Sequence, residues 1–249
     1  MPCEPLEFLG RSSVRREILH ALVDDRRTVR DVTDTVDASR VTVQRNLRTL
    51  VQRGWVAENG CQYTATATGR LVVDAYDSFR QRLETVERLE PFLEHVDPSE
   101  LDIAALSGAT VTASTSTDPH APVMAFLDWL GDASTFRAVT PAVGPSYVRA
   151  VAEQVDDGAD VELVVAASHA DRLEQDHPEA SSTMSAADGC RVAVVDGPVP
   201  FGLGLSADGV AVAAYEDGIM RALLLADDED AVAWGERTFE RYAGDARSW

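Results

Sequence analysis

Lysine is absent from this chain of 249 residues, in which all 22 positively charged side chains are arginine. The absence excludes the phosphate-binding lysine of P-loop proteins, the Schiff-base lysine and the strand lysine of protein kinases. The chain also lacks a Gly-x-Ser-x-Gly segment, the turn that carries the nucleophile of α/β hydrolases. The sequence therefore shows no catalytic set, and we do not expect an enzyme.

Cysteine and histidine are scarce and scattered. The three cysteines form no Cys-x-x-Cys pair. Cys61, which follows Asn59-Gly60, is the one candidate for a redox-sensitive position, and the alternative is that it acts as a small apolar residue. His169 and His177 lie near Asp171 and Asp176, but their spacing matches no tight metal motif, and an acidic surface is the simpler interpretation. We predict no metal and no cofactor.

The charge is strongly negative and unevenly distributed. The chain has 42 acidic residues and a formal net charge of −20, and residues 96–249 hold 27 acids against 8 arginines, whereas residues 1–66 hold 9 against 10. This composition, acidic and without lysine, resembles that of proteins from a salt-saturated cytoplasm, and the alternative is an ordinary acidic protein. Because salt screens charge and weakens phosphate contacts, a DNA-binding head here would depend on base contacts, shape and dimer geometry.

The chain is long enough for one large domain or two small ones. It has no secretory or transmembrane run, which predicts a soluble cytoplasmic protein.

Residues 28–53 predict a helix, a tight turn and a second helix. Apolar residues at helical spacing mark both helices, and Ser39 is a good N-cap for the second. Residues 14–22 predict a preceding helix, and Asn59-Gly60 is a strong hairpin signal after Gly54. The order helix, helix, helix, hairpin is that of a winged helix, and a plain three-helix bundle with a solvated arginine face is the alternative.

The outward face of the second helix carries arginine, threonine and glutamine, which suit the base edges of the major groove. Residues near the N-terminus of such a helix meet bases, and the wing touches the backbone. The predicted DNA-binding residues are Ser39, Arg40, Thr42, Gln44, Arg45, Arg48 and Asn59.

Residues 72–96 show apolar side chains at 4,3 spacing, the pattern of a narrow helical seam. Because proline lacks the N–H group that a helix interior needs, we predict a helix from Thr68 to Leu89 and a second short helix opened by Pro91. We interpret this segment as a dimerisation and relay element, and packing on its own domain is the alternative.

Beyond Asp97, strands alternate with helices and a run of strands follows, which predicts an α/β layer with an antiparallel extension. Ligands collect at the carboxyl ends of strands in such sheets. The predicted ligand-binding residues lie on two loops that follow strands, at helix starts and on later strands: Thr115, His120, Thr140, Ser146, Tyr147, Phe201 and Tyr215.

Two sets of residues resemble a known family. Residues 39–56 (SRVTVQRNLRTLVQRGWV) resemble the recognition helix and wing entry of arsenic-repressor-like winged-helix regulators. The whole chain resembles haloarchaeal regulators that join this head to the C-terminal domain first described in an archaeal methanogenesis regulatory protein. The residues that carry the second half are 114–122 (STSTDPHAP), 140–148 (TPAVGPSYV), 199–203 (VPFGL) and 226–237 (ADDEDAVAWGER).

The resemblance implies a phospholipase-D-like fold for the second half, as in sugar-sensing archaeal regulators. That fold would be non-catalytic here, since no His-x-Lys pair exists. The head lacks the cysteine pair of metal-sensing relatives, so their sensing mechanism is not implied.

The sequence as a whole predicts an α+β and α/β protein with three segments. These are a winged helix-turn-helix DNA-binding domain (1–66), linker or dimerisation helices (67–97) and an acidic α/β sensor domain (98–249). We predict a homodimeric, sequence-specific transcription regulator that binds double-stranded DNA and senses a small-molecule effector. The alternative is a protein-interaction adaptor or small-molecule-binding protein with a vestigial winged helix.

Overall fold

The computed structural model describes residues 4–131 and 133–249, which divide between Glu84 and Thr85 into two compact units. The first unit is a winged helix, as predicted. Its helices are α1 (Glu4–Gly10), α2 (Ser13–Ala21), α3 (Val29–Thr35) and α4 (Arg40–Gln52). Its strands are β1 (Arg27–Thr28), β2 (Val56–Asn59) and β3 (Gln62–Ala65), arranged in the order β1-β3-β2.

Side chains define the starts of the two helices that form the helix-turn-helix. Thr28 and Asp31 form a capping box at α3, in which each side chain bonds the other's backbone N–H. These bonds lower the pKa of Asp31, chiefly the one from the Thr28 backbone. Ser39 caps α4 by accepting a hydrogen bond from the Thr42 N–H at 3.3 Å, which confirms the predicted N-cap.

Removal of the α4 cap should loosen the helix. Ser39→Ala leaves an orphan N–H at the first turn, and we expect a loss of about 1 kcal/mol in the local stability of α4, measured by hydrogen exchange of its amides. Ser146→Ala is the matched control, because that serine is also exposed near a helix start but makes no capping bond. Equal protection of the α4 amides in the Ser39 variant and the wild type would contradict the assigned cap.

The wing turns one residue later than predicted. Asn59 remains in the ladder opposite Gln62, and the two loop residues are Gly60, with a φ of 65°, and Cys61. Glycine at the first central position is the pattern of a type II′ hairpin. Burial sets this register, because it places buried Val56 opposite buried Ala65.

A single long helix, α5 (Ala67–Leu93), follows the wing, so the predicted break at Leu89 is wrong. Pro91 lies in the last turn, where it removes one helical bond, and the fully buried side chains of Leu89 and Phe92 hold that turn in place. Four large apolar side chains along α5 are exposed: Leu71, Phe79, Leu83 and Val86.

The second unit contains an eight-stranded sheet in the order β11-β7-β6-β5-β8-β9-β10-β4. Only β5, β6 and β7 pair in parallel, and the other pairs are antiparallel, which confirms the predicted α/β layer with an antiparallel extension. The strands are β4 (Thr110–Ala113), β5 (Thr135–Thr140), β6 (Asp160–Ala166), β7 (Cys190–Val195), β8 (Gly202–Ser206), β9 (Gly209–Glu216), β10 (Ile219–Ala226) and β11 (Arg247–Ser248).

Helices cover both faces of this sheet. Successive residues of each strand point to opposite faces, so the unit has one apolar core on each side of the sheet. The helices are α6 (Ala121–Leu130), α7 (Pro145–Asp156), α8 (Ala167–Asp176), α9 (Pro178–Ala186) and α10 (Glu229–Asp245). Val139 and Val164 face the core that contains α10, whereas Ala138 and Leu163 face the core formed with α6 to α9. Within the described part of the chain, no helix is both long and apolar enough to cross a membrane.

Candidate functional site

The outward face of α4 is the first candidate site. The opposite face is buried through Val43, Leu47 and Leu50. At the centre of the outward face lie Arg45 and Val41, and the valine is 75% exposed. An exposed valine on a helix of this kind suits the methyl group of thymine. Val41 was not among the predicted DNA-binding residues, although its position four residues before Arg45 places it on the same helical face.

The predicted DNA-binding residues occupy different parts of this surface. Arg40, Arg45 and Arg48 are exposed on α4, and Asn59 is exposed at the end of β2. The remaining three are less available: Ser39 is the cap, Thr42 is half-buried and bonded to it, and Gln44 is half-buried.

A group of arginines beside α4 was not predicted. Arg15 stacks over the ring of Phe8 at 4.0 Å, and Arg53 lies 3.9 Å from the same ring. Burial lowers the pKa of Arg15, and the charges of Arg53, Arg45 and Arg11 lower it further, in that order. Arg53 also pairs with Glu4 at 2.6 Å, and Arg11 pairs with Glu7, so carboxylates neutralise part of this positive charge. Arg15 and Arg45 have no such partner among the ion pairs of the described residues, and a phosphate would be attracted to them.

Asn46 connects this group to α4. It is a buried polar residue whose amide donates to the Thr42 carbonyl at 3.0 Å and whose oxygen accepts from Arg15 Nε at 3.4 Å. The pair braces α4 against α2, so the outward face of α4 is presented by a fixed support.

The second candidate site is a cavity of about 70 Å³ between the sheet and the helices α6 to α9. It brings together three of the predicted ligand-binding residues, Thr140, Tyr147 and Tyr215. The rest of its lining is apolar or glycine: Phe126, Phe136, Ala138, Val139, Ala142, Val143, Val148, Val151, Leu163, Val165, Leu173, Met184, Gly202, Leu203, Gly204, Ala211 and Ala213.

The two tyrosine rings meet edge to face, with their centroids 6.4 Å apart. Burial raises the pKa of Tyr147, and burial followed by the neighbouring Tyr147 raises that of Tyr215, so both phenols are neutral. Glycine at position 202 leaves room for this arrangement, because a Cβ there would lie 3.0 Å from Tyr215 Cε2.

The other predicted ligand-binding residues lie outside the cavity lining. Thr115 and His120 are exposed and follow β4, the edge strand that is four steps from β5, or about 19 Å. Ser146 is exposed at the start of α7. Phe201 is fully buried in the core on the other face of the sheet, where its ring lies 6.0 Å from that of Trp234.

Metal-binding side chains do not cluster in residues 4–131 and 133–249, where no three of His, Cys, Asp or Glu come together. Cys61 is exposed at the tip of the wing, and Cys190 is half-buried.

Two family models match the chain and together span most of it. The model named HVO_A0261 N-terminal domain matches residues 3–88. The model of the middle domain of the methanogenesis regulatory protein FilR1 matches residues 119–245. The matches confirm the resemblance on which the sequence analysis relied. No protein of curated function matches the chain.

Solved structures give weaker likenesses. TrmBL2, an archaeal chromatin protein, is 13% identical with a TM-score of 0.44, over 100% of both chains. Nuc, a phospholipase D family member from Salmonella typhimurium, is 13% identical with a TM-score of 0.43, over 57% of this chain and 98% of that one. Likenesses at this level carry no argument, and the assignment depends on the family models: the chain belongs to the family of the middle domain of the methanogenesis regulatory protein FilR1.

Proposed function

We propose that this protein is a sequence-specific DNA-binding transcription regulator. The winged helix of its first unit reads the major groove through α4, and its second unit binds a small-molecule effector. The observation that carries the proposal is the outward face of α4, where Val41, Arg45 and Arg48 are exposed on a helix whose other face is fully packed. Membership in the family of a regulatory protein supports the same function.

The head has an electrostatic pattern that fits this role. Residues 1–66 carry 10 arginines against 9 acids, so the head is close to neutral although the whole chain has a net charge of −20. The arginines beside α4 would meet phosphates, while the central residues of α4 meet bases. Because the net positive charge of the head is small, base contacts and shape would supply a larger share of the affinity than in a strongly basic head.

A pull-down of genomic DNA in molar KCl tests the function directly. We expect the wild-type protein to enrich sites that share an inverted repeat, and the Arg40→Ala/Arg45→Ala variant to lose them. Arg172→Ala/Arg237→Ala is the matched control, since it removes the same charge from exposed positions of the second unit. Absence of enrichment by the wild-type protein would overturn the proposal and favour a protein-interaction adaptor with a vestigial winged helix.

We propose further that the regulator is a homodimer joined through α5. Phe79, Leu83 and Val86 follow one another at 4,3 spacing and are 44 to 49% exposed, as an unpaired seam would be. Two-fold symmetry would match two half-sites on DNA.

Charge in this seam should separate the protomers. We expect Leu83→Glu to convert a dimer into a monomer in sedimentation experiments at molar KCl, because a carboxylate would be desolvated in the interface. Leu71→Glu is the control, since Leu71 is also exposed on α5 but lies about 60 to 120° around the helix from the three seam residues. A wild-type protein that sediments as a monomer at all concentrations would contradict the dimer.

A further inference from the structure

The cavity in the second unit differs from the surface around it. Residues 96–249 carry 27 acids and 8 arginines, yet none of the charged side chains that the structure describes lines the cavity. An anion would lose its water there without meeting a cation, and a cation would meet no carboxylate. The lining therefore selects against ionic ligands of either sign.

The polar groups of the cavity are few and belong to three hydroxyls. That of Thr140 is already engaged, since it donates to the Ala142 carbonyl at 2.7 Å and accepts from the Ala142 N–H at 3.2 Å. The two tyrosine hydroxyls also have partners, the Gly144 backbone for Tyr147 and the Thr140 side chain for Tyr215. Because a phenol hydroxyl can both donate and accept, each keeps the capacity for one further hydrogen bond to a ligand. A sugar would bring more hydroxyls than these partners can satisfy, and each unsatisfied one would cost free energy.

The size of the cavity limits the ligand further. Its volume of about 70 Å³ is several times the volume that a cavity needs to hold one water molecule. An engineered apolar cavity of about 150 Å³ admits benzene, so a ligand of that size needs some expansion here. Met184 of α9, which lines the cavity and is fully buried, has the flexible side chain that adapts to such a change.

We propose that this cavity binds a small neutral molecule, an aromatic ring or short alkyl chain that carries one hydroxyl, and that it rejects carboxylates, phosphates and sugars. The aliphatic and aromatic walls hold the apolar body, and Tyr147 or Tyr215 bonds the hydroxyl. The inference rests on the proposed function only in identifying this molecule as the effector of the regulator.

Benzyl alcohol, toluene, benzoate and glucose test the ligand class in the full chain at molar KCl, with no DNA present. We expect benzyl alcohol to raise the Tm saturably and to change the fluorescence of Trp129, whose ring lies 6.0 Å from Phe126 and 6.2 Å from Phe136, both in the lining. Toluene should bind more weakly, and benzoate and glucose should have no effect. The Trp129→Phe variant identifies the source of the signal.

Tyrosine variants separate specific binding from general partitioning. The double variant Tyr215→Phe/Tyr147→Phe should bind benzyl alcohol about tenfold more weakly, because the hydrogen bond to its hydroxyl is lost. Its affinity for toluene, which has no hydroxyl, should be unchanged. Tyr242→Phe on α10 is the control, since Tyr242 packs at the core on the other face of the sheet. Filling the cavity with Ala138→Leu should abolish binding of both molecules.

Three results would overturn the inference: no response to either neutral compound, an equal response to benzoate, or equal benzyl alcohol affinity in the double tyrosine variant and the wild type. Because DNA is absent, each concerns the cavity alone. If benzyl alcohol binds as expected and operator binding is unchanged by it at saturation, the ligand class stands and the effector role fails.

Discussion

Replacement of Arg45 by alanine is expected to weaken binding to the specific operator by about 1–3 kcal/mol and to relax the preference at one base pair. Arg45 is exposed near the centre of the outward face of α4, next to Val41. A guanidinium at that position can bond guanine O6 and N7 together, and alanine leaves those acceptors without a protein donor. The loss should be smaller on non-specific DNA.

Arg48 should behave differently. It lies one turn further along α4, and its charge acts on Tyr63 of the wing strand β3. We assign it to a phosphate, so Arg48→Ala should weaken binding to all sequences alike and reduce the salt slope of log K by about 1.

Titrations of operator and scrambled duplexes at several KCl concentrations distinguish the two roles. Arg172→Ala is the control, because Arg172 is exposed on α8 in the second unit, where it pairs with Asp176 of the same helix. Circular dichroism must show an unchanged helix content in each variant. If Arg45→Ala retains wild-type affinity for the operator, α4 is not the recognition helix.

Strand and helix positions were largely readable from the sequence, whereas the distances between them were not. The alternation of strands and helices in the second unit, and the run of strands that follows it, were predicted because short apolar runs bounded by turn residues mark buried strands. The order of strands in the sheet carries no such local signal. Thr115 follows β4 and Thr140 ends β5, and both strands end on the same side of the sheet, but β8, β9 and β10 lie between them.

The errors at single residues have the same origin. Phe201 was expected at the ligand site as a residue of a later strand, but a strand position alone does not say which face of the sheet a side chain takes, and Phe201 lies in the core on the other face. In the wing, the Asn-Gly signal located the turn and the pairing of Val56 with Ala65 decided its register. Val41 was left out of the predicted contacts because the outward face of the helix was expected to be polar, whereas this valine is exposed there.

Gly69→Ala is expected to unfold the winged helix while leaving the second unit intact. At position 69, α5 passes so close to the hairpin entry that a Cβ would overlap the carbonyl oxygen of Trp55 and lie 2.9 Å from its carbonyl carbon. Thr66 fixes this approach, because its N–H donates to the Trp55 carbonyl and its hydroxyl donates to the Gly54 carbonyl. Backbone atoms held by these bonds cannot yield as a flexible side chain would.

We expect a cost of about 3 kcal/mol or more, at the upper end for an added methyl group in a packed region. Urea unfolding followed by hydrogen exchange should show early exposure of α4 amides and unchanged protection of the sheet in the second unit, and operator binding should fall in parallel. Gly244→Ala on α10 is the control: a Cβ there meets nothing within 4 Å, so alanine should raise stability by about 0.5–1 kcal/mol. Wild-type stability in the Gly69 variant would mean that α5 does not approach Trp55 this closely. Loss of both units together would mean that they unfold as one cooperative unit.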